Sequence, residues 1–166
     1  MVYYDLYQSP HGQMLLVAGD EALSGVYFEG QKYHPGIAPE WQRDARHAPL
    51  AQAKRELAEY FGRERRQFDV ALAPEGTAYQ RAVWTAISTV AYGDTISYGE
   101  LARRAGDARN ARAAGAATGR NPLTIIVPCH RIVGASGSLT GYAGGLDRKR
   151  ALLALECRIQ DLLSAA

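Results

Sequence analysis

The period of the apolar residues changes once along this chain, and that change limits the fold more than any other feature. Over the first 30 residues apolar and polar positions alternate in MVYYDLYQS, QMLLVAG and ALSGVYFEG, with Pro10, His11 and Gly12 as a turn between the first two runs. Alternation with period two turns one face of a strand inward, so this stretch predicts a small antiparallel meander. From Ala78 to Val90 the spacing becomes helical, with Tyr79, Val83, Trp84, Ile87 and Val90 on one face and a stop at Gly93. The seam lies in PEGT, Pro74 to Thr77. The predicted fold class is therefore α+β. An N-terminal antiparallel β-sheet region with one helix occupies residues 1–77. A mostly helical C-terminal domain, residues 78–166, contains a helix-turn-helix.

Within this frame, residues 31–48 carry two prolines and no period, and predict a surface loop. Pro49 to Phe61 predicts a helix with Leu50, Lys54, Leu57, Ala58 and Phe61 at helical spacing, ended by Gly62. FDVALAP predicts one more short strand. Past the seam, SYGELARRAG predicts a helix capped by Ser97 or Thr95 and closed by Gly106. DARNARAAGAATGRN, from Asp107, predicts the next, with Arg109, Arg112 and Arg120 projecting. Two short helices joined through a glycine turn make a helix-turn-helix pair. LTIIVP is apolar and β-branched, so it predicts a buried extended segment that leads into Cys129. A loop rich in small residues runs on to Tyr142, and Leu146 to Leu163 closes the chain as a helix with Leu152, Leu155 and Ile159 inward.

Composition excludes several classes. Of 166 residues, 47% are hydrophobic and 22% charged, which is outside the range of disordered chains. No uncharged apolar run approaches the roughly 18 residues that span a bilayer, and the N-terminus lacks a basic-then-apolar leader, so a cytoplasmic protein without a membrane partner is expected. Cysteine occurs only at Cys129 and Cys157, without CxxC or a Cys/His cluster, so no metal site is expected. Charge is uneven: residues 1–78 hold 8 Lys/Arg against 11 Asp/Glu, and residues 79–166 hold 11 against 6. Between Arg103 and Arg131 six arginines face one acid, Asp107. Arginine pairs well with phosphate oxyanions, so this segment fits a polyanion, or else a merely solvated basic face.

Cys129 carries the chemistry. A thiol beside the imidazole of His130 and the guanidinium of Arg131 is pushed toward thiolate, whereas one in apolar surroundings is inert. In an extended segment the His130 side chain points away from that of Cys129, so contact needs a bend or an intervening water, and an acid must orient the ring. Glu156, on the inward side of the last helix, is a candidate orienter. A buried structural cysteine beside a capping histidine is the plainer alternative. Cys157 is expected to be a small core residue.

The run IVPCHRIVGASGSLTGYAGG resembles the active-site signature of the methylated-DNA:protein-cysteine methyltransferases, the alkylguanine-DNA alkyltransferases. The resemblance extends upstream through YQRAVWTAISTVAYGDTISYGELARRAG and NARAAGAATGRNP and downstream to RKRALLALE, about residues 78 to 157. Residues 1–77 resemble the family only in a strand-rich, ribonuclease-H-like character. The resemblance implies a cysteine thiolate that removes an alkyl group from the O6 oxygen of guanine in DNA, with O4-alkylthymine as a second candidate lesion. No cofactor is needed, and the protein stays alkylated, one molecule per lesion. Cys129 matches the alkyl acceptor, His130 the base acting through water, and Glu156 the residue holding His130.

Tyr98 matches the family tyrosine that protonates the extruded base, and Asn121 the asparagine that braces the helix-turn-helix against the active-site strand. Arg112 matches the arginine finger that fills the space left by the flipped nucleotide. The small residues Ala111, Ala113, Ala114 and Gly115 around it match a helix that enters the minor groove, with Arg109 and Arg120 reaching phosphate. Tyr142, Ala143 and Gly144 match the loop lining the base pocket, with Ile132 and Lys149 beside it. Some members of the family carry serine where Ala143 stands, so backbone N–H groups must replace that hydroxyl here, and a roomy pocket is implied. The implied partner is double-stranded DNA containing O6-alkylguanine, bound by a monomer, with cooperative assembly along DNA left open. A helix-turn-helix regulator would leave CHR and Glu156 without a task, and a cysteine hydrolase would use the same Cys, His and Glu as a triad.

Overall fold

The computed structural model describes the backbone over residues 1–165 and side chains over residues 1–157. It divides into two compact units, Met1–Glu75 with Pro122–Ile126, and Gly76–Asn121 with the remainder of the chain from Val127.

In the first unit the expected meander forms from β1 (Tyr3–Ser9), β2 (Gly12–Ala18) and β3 (Leu23–Phe28), antiparallel in sequence. Gly12, at φ +119°, closes the first hairpin, and Ser9 Oγ donates to its carbonyl. Met14 to Ala18 are buried without a break, so both faces of β2 are covered there; covered strands read as runs, not alternations. The loop expected over 31–48 contains a missed strand, β4 (Gln42–Arg43), parallel to β1. Two residues carry no readable period.

Helix α1 (Ala48–Phe61) begins within one residue of expectation, but its inward face is Leu50, Ala53, Glu56, Leu57 and Tyr60. Ala58 is exposed, and Lys54 is drawn aside by the buried Asp5, which also accepts from Arg43 Nε at 3.0 Å. Burial pushes the Asp5 carboxyl up, but Lys54, the Leu6 amide and Arg43 outweigh it and hold the group below its ordinary value. FDVALAP is not a strand: it makes one isolated bridge, Leu23 to Leu72, while Glu56 accepts the Asp69 and Val70 amides.

The expected extended segment LTIIVP is buried but discontinuous. Leu123 bridges Val26, and then Ile125 adopts φ +73°, which a β-branched residue tolerates only under strain. Cys129 lies in a 3₁₀ turn, Cys129–Arg131, not at a strand end.

The second unit opens with α2 (Ala78–Ile87), where Thr77 and Gln80 form a reciprocal capping box. Helix α3 (Tyr98–Arg104) is capped by Ser97, and Gly106 at φ +100° follows its end. The next helix was expected from Asp107. Instead α4 spans Ala111–Gly119, because the Asn110 side chain accepts the Ala113 amide and caps the helix there. Trp84 of α2 donates its indole N–H to the Ala117 carbonyl of α4 at 2.8 Å. Two short strands that the sequence does not reveal, β5 (Ile96–Ser97) and β6 (Ile132–Val133), pair in parallel and tie the entry of α3 to the residues just after the 3₁₀ turn. Helix α5 (Leu146–Ala165) closes the chain, with Leu152 buried and Leu155 half-buried; Ile159 lies outside the described side chains. No helix among the described residues is long and apolar enough to cross a membrane.

Candidate functional site

The 3₁₀ turn supplies the bend that a Cys–His dipeptide needs. Cys129, His130 and Arg131 are all buried, and α5 presents Glu156 to them. His130 Nε2 lies 2.7 Å from Glu156 Oε2. The same carboxylate accepts from Arg131 Nε at 2.9 Å and Nη2 at 3.0 Å, a bidentate fork. Burial alone would raise the Glu156 carboxyl, but His130 and Arg131 overcome it and bring the group down to about 2. An ionised carboxylate only accepts, so Nε2 carries the hydrogen and Nδ1 the lone pair. Nδ1 is buried and makes no hydrogen bond among the described residues.

Burial disfavours the imidazolium and holds His130 below the ordinary 6.5, against the opposing pull of Glu156. The ring is therefore neutral near pH 7. The Cys129 thiol is pushed up, because burial outweighs the Asn121 hydrogen bond, the Lys149 charge and the nearby Tyr142 hydroxyl, all of which favour thiolate. Of the two environments weighed from the sequence, burial outweighs the charged neighbours and holds the group toward the thiol.

Asn121 follows α4, and its Nδ2 donates to the Val127 carbonyl at 2.9 Å and to Cys129 Sγ at 3.1 Å. It thus links the end of the helix-turn-helix to the nucleophile. Tyr98, the first residue of α3, reaches the Thr140 carbonyl with its hydroxyl at 3.3 Å. Gly115 of α4 lies under the Tyr98 ring, and a Cβ there would sit 3.6 Å from it. Tyr142 is half-buried with its hydroxyl buried, and burial raises its pKa well above 10, with the Cys129 sulfur acting in the same direction. Ala143 is half-buried and Gly144 buried in the same loop.

Several expected site residues serve otherwise. Lys149 is fully buried and spends its three protons on the carbonyls of Ile132 at 2.6 Å, Thr140 at 2.9 Å and Gly141 at 3.3 Å, so no donor is left for a substrate. Its ammonium stitches β6 to the pocket loop. Ile132 packs inward, with its carbonyl taken by that lysine. Ala114 is buried and packs into the core, so it cannot face DNA; Ala111, Ala113 and Gly115 are half-buried. Arg109, Arg112 and Arg120 are exposed on or beside α4. Cys157, expected in the core, is exposed and is the thiol open to solvent, because it follows the inward Glu156 by one helical position. The role of Arg131 was missed. Its signal was a cation two residues after the cysteine, but the fork to Glu156 spans 25 residues of sequence.

Residues 78–158 match the family model of the 6-O-methylguanine DNA methyltransferase DNA-binding domain, and residues 2–74 match the 6-O-methylguanine DNA methyltransferase ribonuclease-like domain. The N-terminal match extends the likeness beyond the C-terminal residues in which the sequence reading found it. A methylated-DNA–protein-cysteine methyltransferase of Methanosarcina acetivorans is 45% identical over 155 residues, covering 93% of this chain and 98% of that protein. One from Mycolicibacterium paratuberculosis is 46% identical over 158 residues, 95% of this chain and 94% of that protein. The crystal structure of Mycobacterium tuberculosis O6-methylguanine methyltransferase aligns with a TM-score of 0.86 and 45% identity, covering 95% and 94% of the two chains. A structure of M. tuberculosis OGT in complex with DNA aligns at 0.86 and 43%, covering 94% and 93%.

Proposed function

The chain belongs to the O6-methylguanine DNA methyltransferase family, and we propose that Cys129 is the atom site at which its alkyl transfer ends. The activity is direct DNA repair: an alkyl group leaves O6-alkylguanine in DNA and is taken up by the protein. The observation that carries the assignment is the buried His130–Glu156 contact of 2.7 Å adjoining the Cys129 turn.

In this reading neutral His130, with Nε2 committed to Glu156, takes the Cys129 proton at Nδ1 through one water. The thiolate sulfur attacks the alkyl carbon, the carbon–O6 bond breaks, and its electron pair stays on the guanine. A soft sulfur nucleophile suits an sp³ carbon. Asn121 and the Lys149 charge favour the anion while it exists; the Tyr98 hydroxyl turns from the Thr140 carbonyl to give its proton to the departing base, and the proton taken up by His130 returns through solvent to the phenolate. Burial of the thiol keeps it protonated until substrate is in place. The thioether formed has no easy hydrolytic exit, so each chain acts once and no cofactor is called for.

Reaching the lesion requires extrusion of the nucleotide. Exposed Arg112 on α4 supports a role as the side chain that fills the gap, with α4 entering the minor groove and Arg109 and Arg120 on phosphates. O4-alkylthymine presents the same kind of electrophilic carbon and is the second proposed lesion.

Titration of the protein with a duplex containing O6-methylguanine tests the single-use reading. Transfer should stop at one alkyl group per chain. Continued consumption of lesion by a fixed amount of protein would indicate a hydrolytic enzyme instead.

A further inference from the structure

His130 and Arg131 both hold the Glu156 carboxylate, and the alkyl-transfer reaction explains only the first. His130 uses it as an orienting partner, but Arg131 holds both of its oxygens in a fork. The guanidinium is itself fixed: Nη1 donates to the Val90 carbonyl at 2.7 Å, and its centre lies 5.6 Å from the centroid of the Tyr92 ring. One arginine thus connects the 3₁₀ turn, helix α5 and the chain just after α2. Removing it would take a bidentate cation away from a buried carboxylate that faces an imidazole. A buried carboxylate in that position pulls a proton onto its histidine partner. An imidazolium cannot act as a base.

We propose that Arg131 is a positioning residue for alkyl transfer: its fork on Glu156 lets the carboxylate orient His130 without charging it. The inference rests on the reading of Cys129 as acceptor and His130 as base. The division of labour follows from geometry. Glu156 Oε2 fixes which ring nitrogen carries hydrogen, and Arg131 neutralises the carboxylate from its far side, so the proton stays off Nδ1 until Cys129 supplies one. Among the described residues, the charged groups that act on the ring are Glu156 and Lys149 from α5 and Arg131 from its own turn, and Cys129 adjoins it in the chain. Lys149 also opposes the imidazolium, but its protons are committed to carbonyls and none reaches Glu156.

The test uses the full chain and a duplex carrying O6-methylguanine. Single-turnover transfer rates are measured from about pH 5 to pH 9, alongside nitrogen-15 imidazole spectra of His130. In the wild type the spectra should show the Nε2–H tautomer at neutral pH and a titration below 6.5. Arg131→Met should raise the acid limb of the rate profile by about one pH unit. Below that limb its rate should fall about tenfold further relative to its own plateau, with His130 titrating higher in the spectra. Arg131→Lys keeps the charge but not the fork, so its limb should stay near the wild-type position while its plateau drops. A uniform loss at every pH in Arg131→Met, with His130 titrating as in the wild type, would overturn the proposal. If Arg131→Met does not fold, a wild-type plateau in Arg131→Lys, or an imidazolium at neutral pH in the wild type, would overturn it. Transfer to Cys129 in the wild type is scored separately, so the function can stand while this inference fails.

Discussion

Cys129→Ser should bind lesion DNA with nearly wild-type affinity and transfer no alkyl group. The exchange removes one polarisable atom from a buried turn and puts a hydroxyl in its place, and Asn121 Nδ2 can still donate to that oxygen. The fold is therefore kept, and the arginines exposed around α4 are untouched. The chemistry is lost because a hydroxyl is far harder to ionise than a thiol, and burial already raises the thiol. Loss of a catalytic nucleophile costs on the order of 10⁶ in rate, which places the variant below detection. Single-turnover transfer from radiolabelled duplex measures it, with a gel-shift binding control. Slow but real transfer by the serine variant would point to another acceptor.

The second large effect concerns Arg112. Its side chain is exposed on α4, and alanine is a good helix former, so Arg112→Ala leaves the helix intact. If the guanidinium fills the space of the flipped guanine, its loss weakens the extrahelical state by about 2–3 kcal/mol, roughly a hundredfold in duplex repair. Attack on free O6-methylguanine needs no extrusion and should change little. A mismatch or an abasic site opposite the lesion makes unstacking cheaper and should restore part of the rate. Equal slowing on the free base and the duplex would assign Arg112 to pocket architecture instead.

Much of this arrangement could be read from the residues in order. The switch of period at Pro74 to Thr77 reflects backbone geometry, and strands β1 to β3 and helices α1 to α3 followed it closely. Cys129, His130 and Glu156 could be singled out because few residue types ionise or attack carbon. What stayed hidden was long-range or very short. The β5–β6 pairing involves two residues on each side, below the length at which alternation is visible. Ile125 looks like a strand residue, and only the packed backbone shows its reversed φ. Lys149 reads as a surface cation by type, and three carbonyls drawn together by tertiary folding make its burial tolerable. Arg131 sits next to His130 in sequence, but its partner arrives from the last helix. The α4 start was misplaced by four residues because Asp107 and Asn110 are both good caps, and local sequence does not choose between them.

The most direct measurement of the central claim is a tryptic mass map after reaction with a duplex containing O6-methylguanine. Cleavage at arginine separates the two thiols, because residues 121–131 carry Cys129 and residues 151–158 carry Cys157. One methyl group, retained on the 121–131 peptide in an amount equal to the lesion consumed, is the predicted result. A methyl group on the 151–158 peptide, or lesion consumed with no mass retained on the protein, would contradict it.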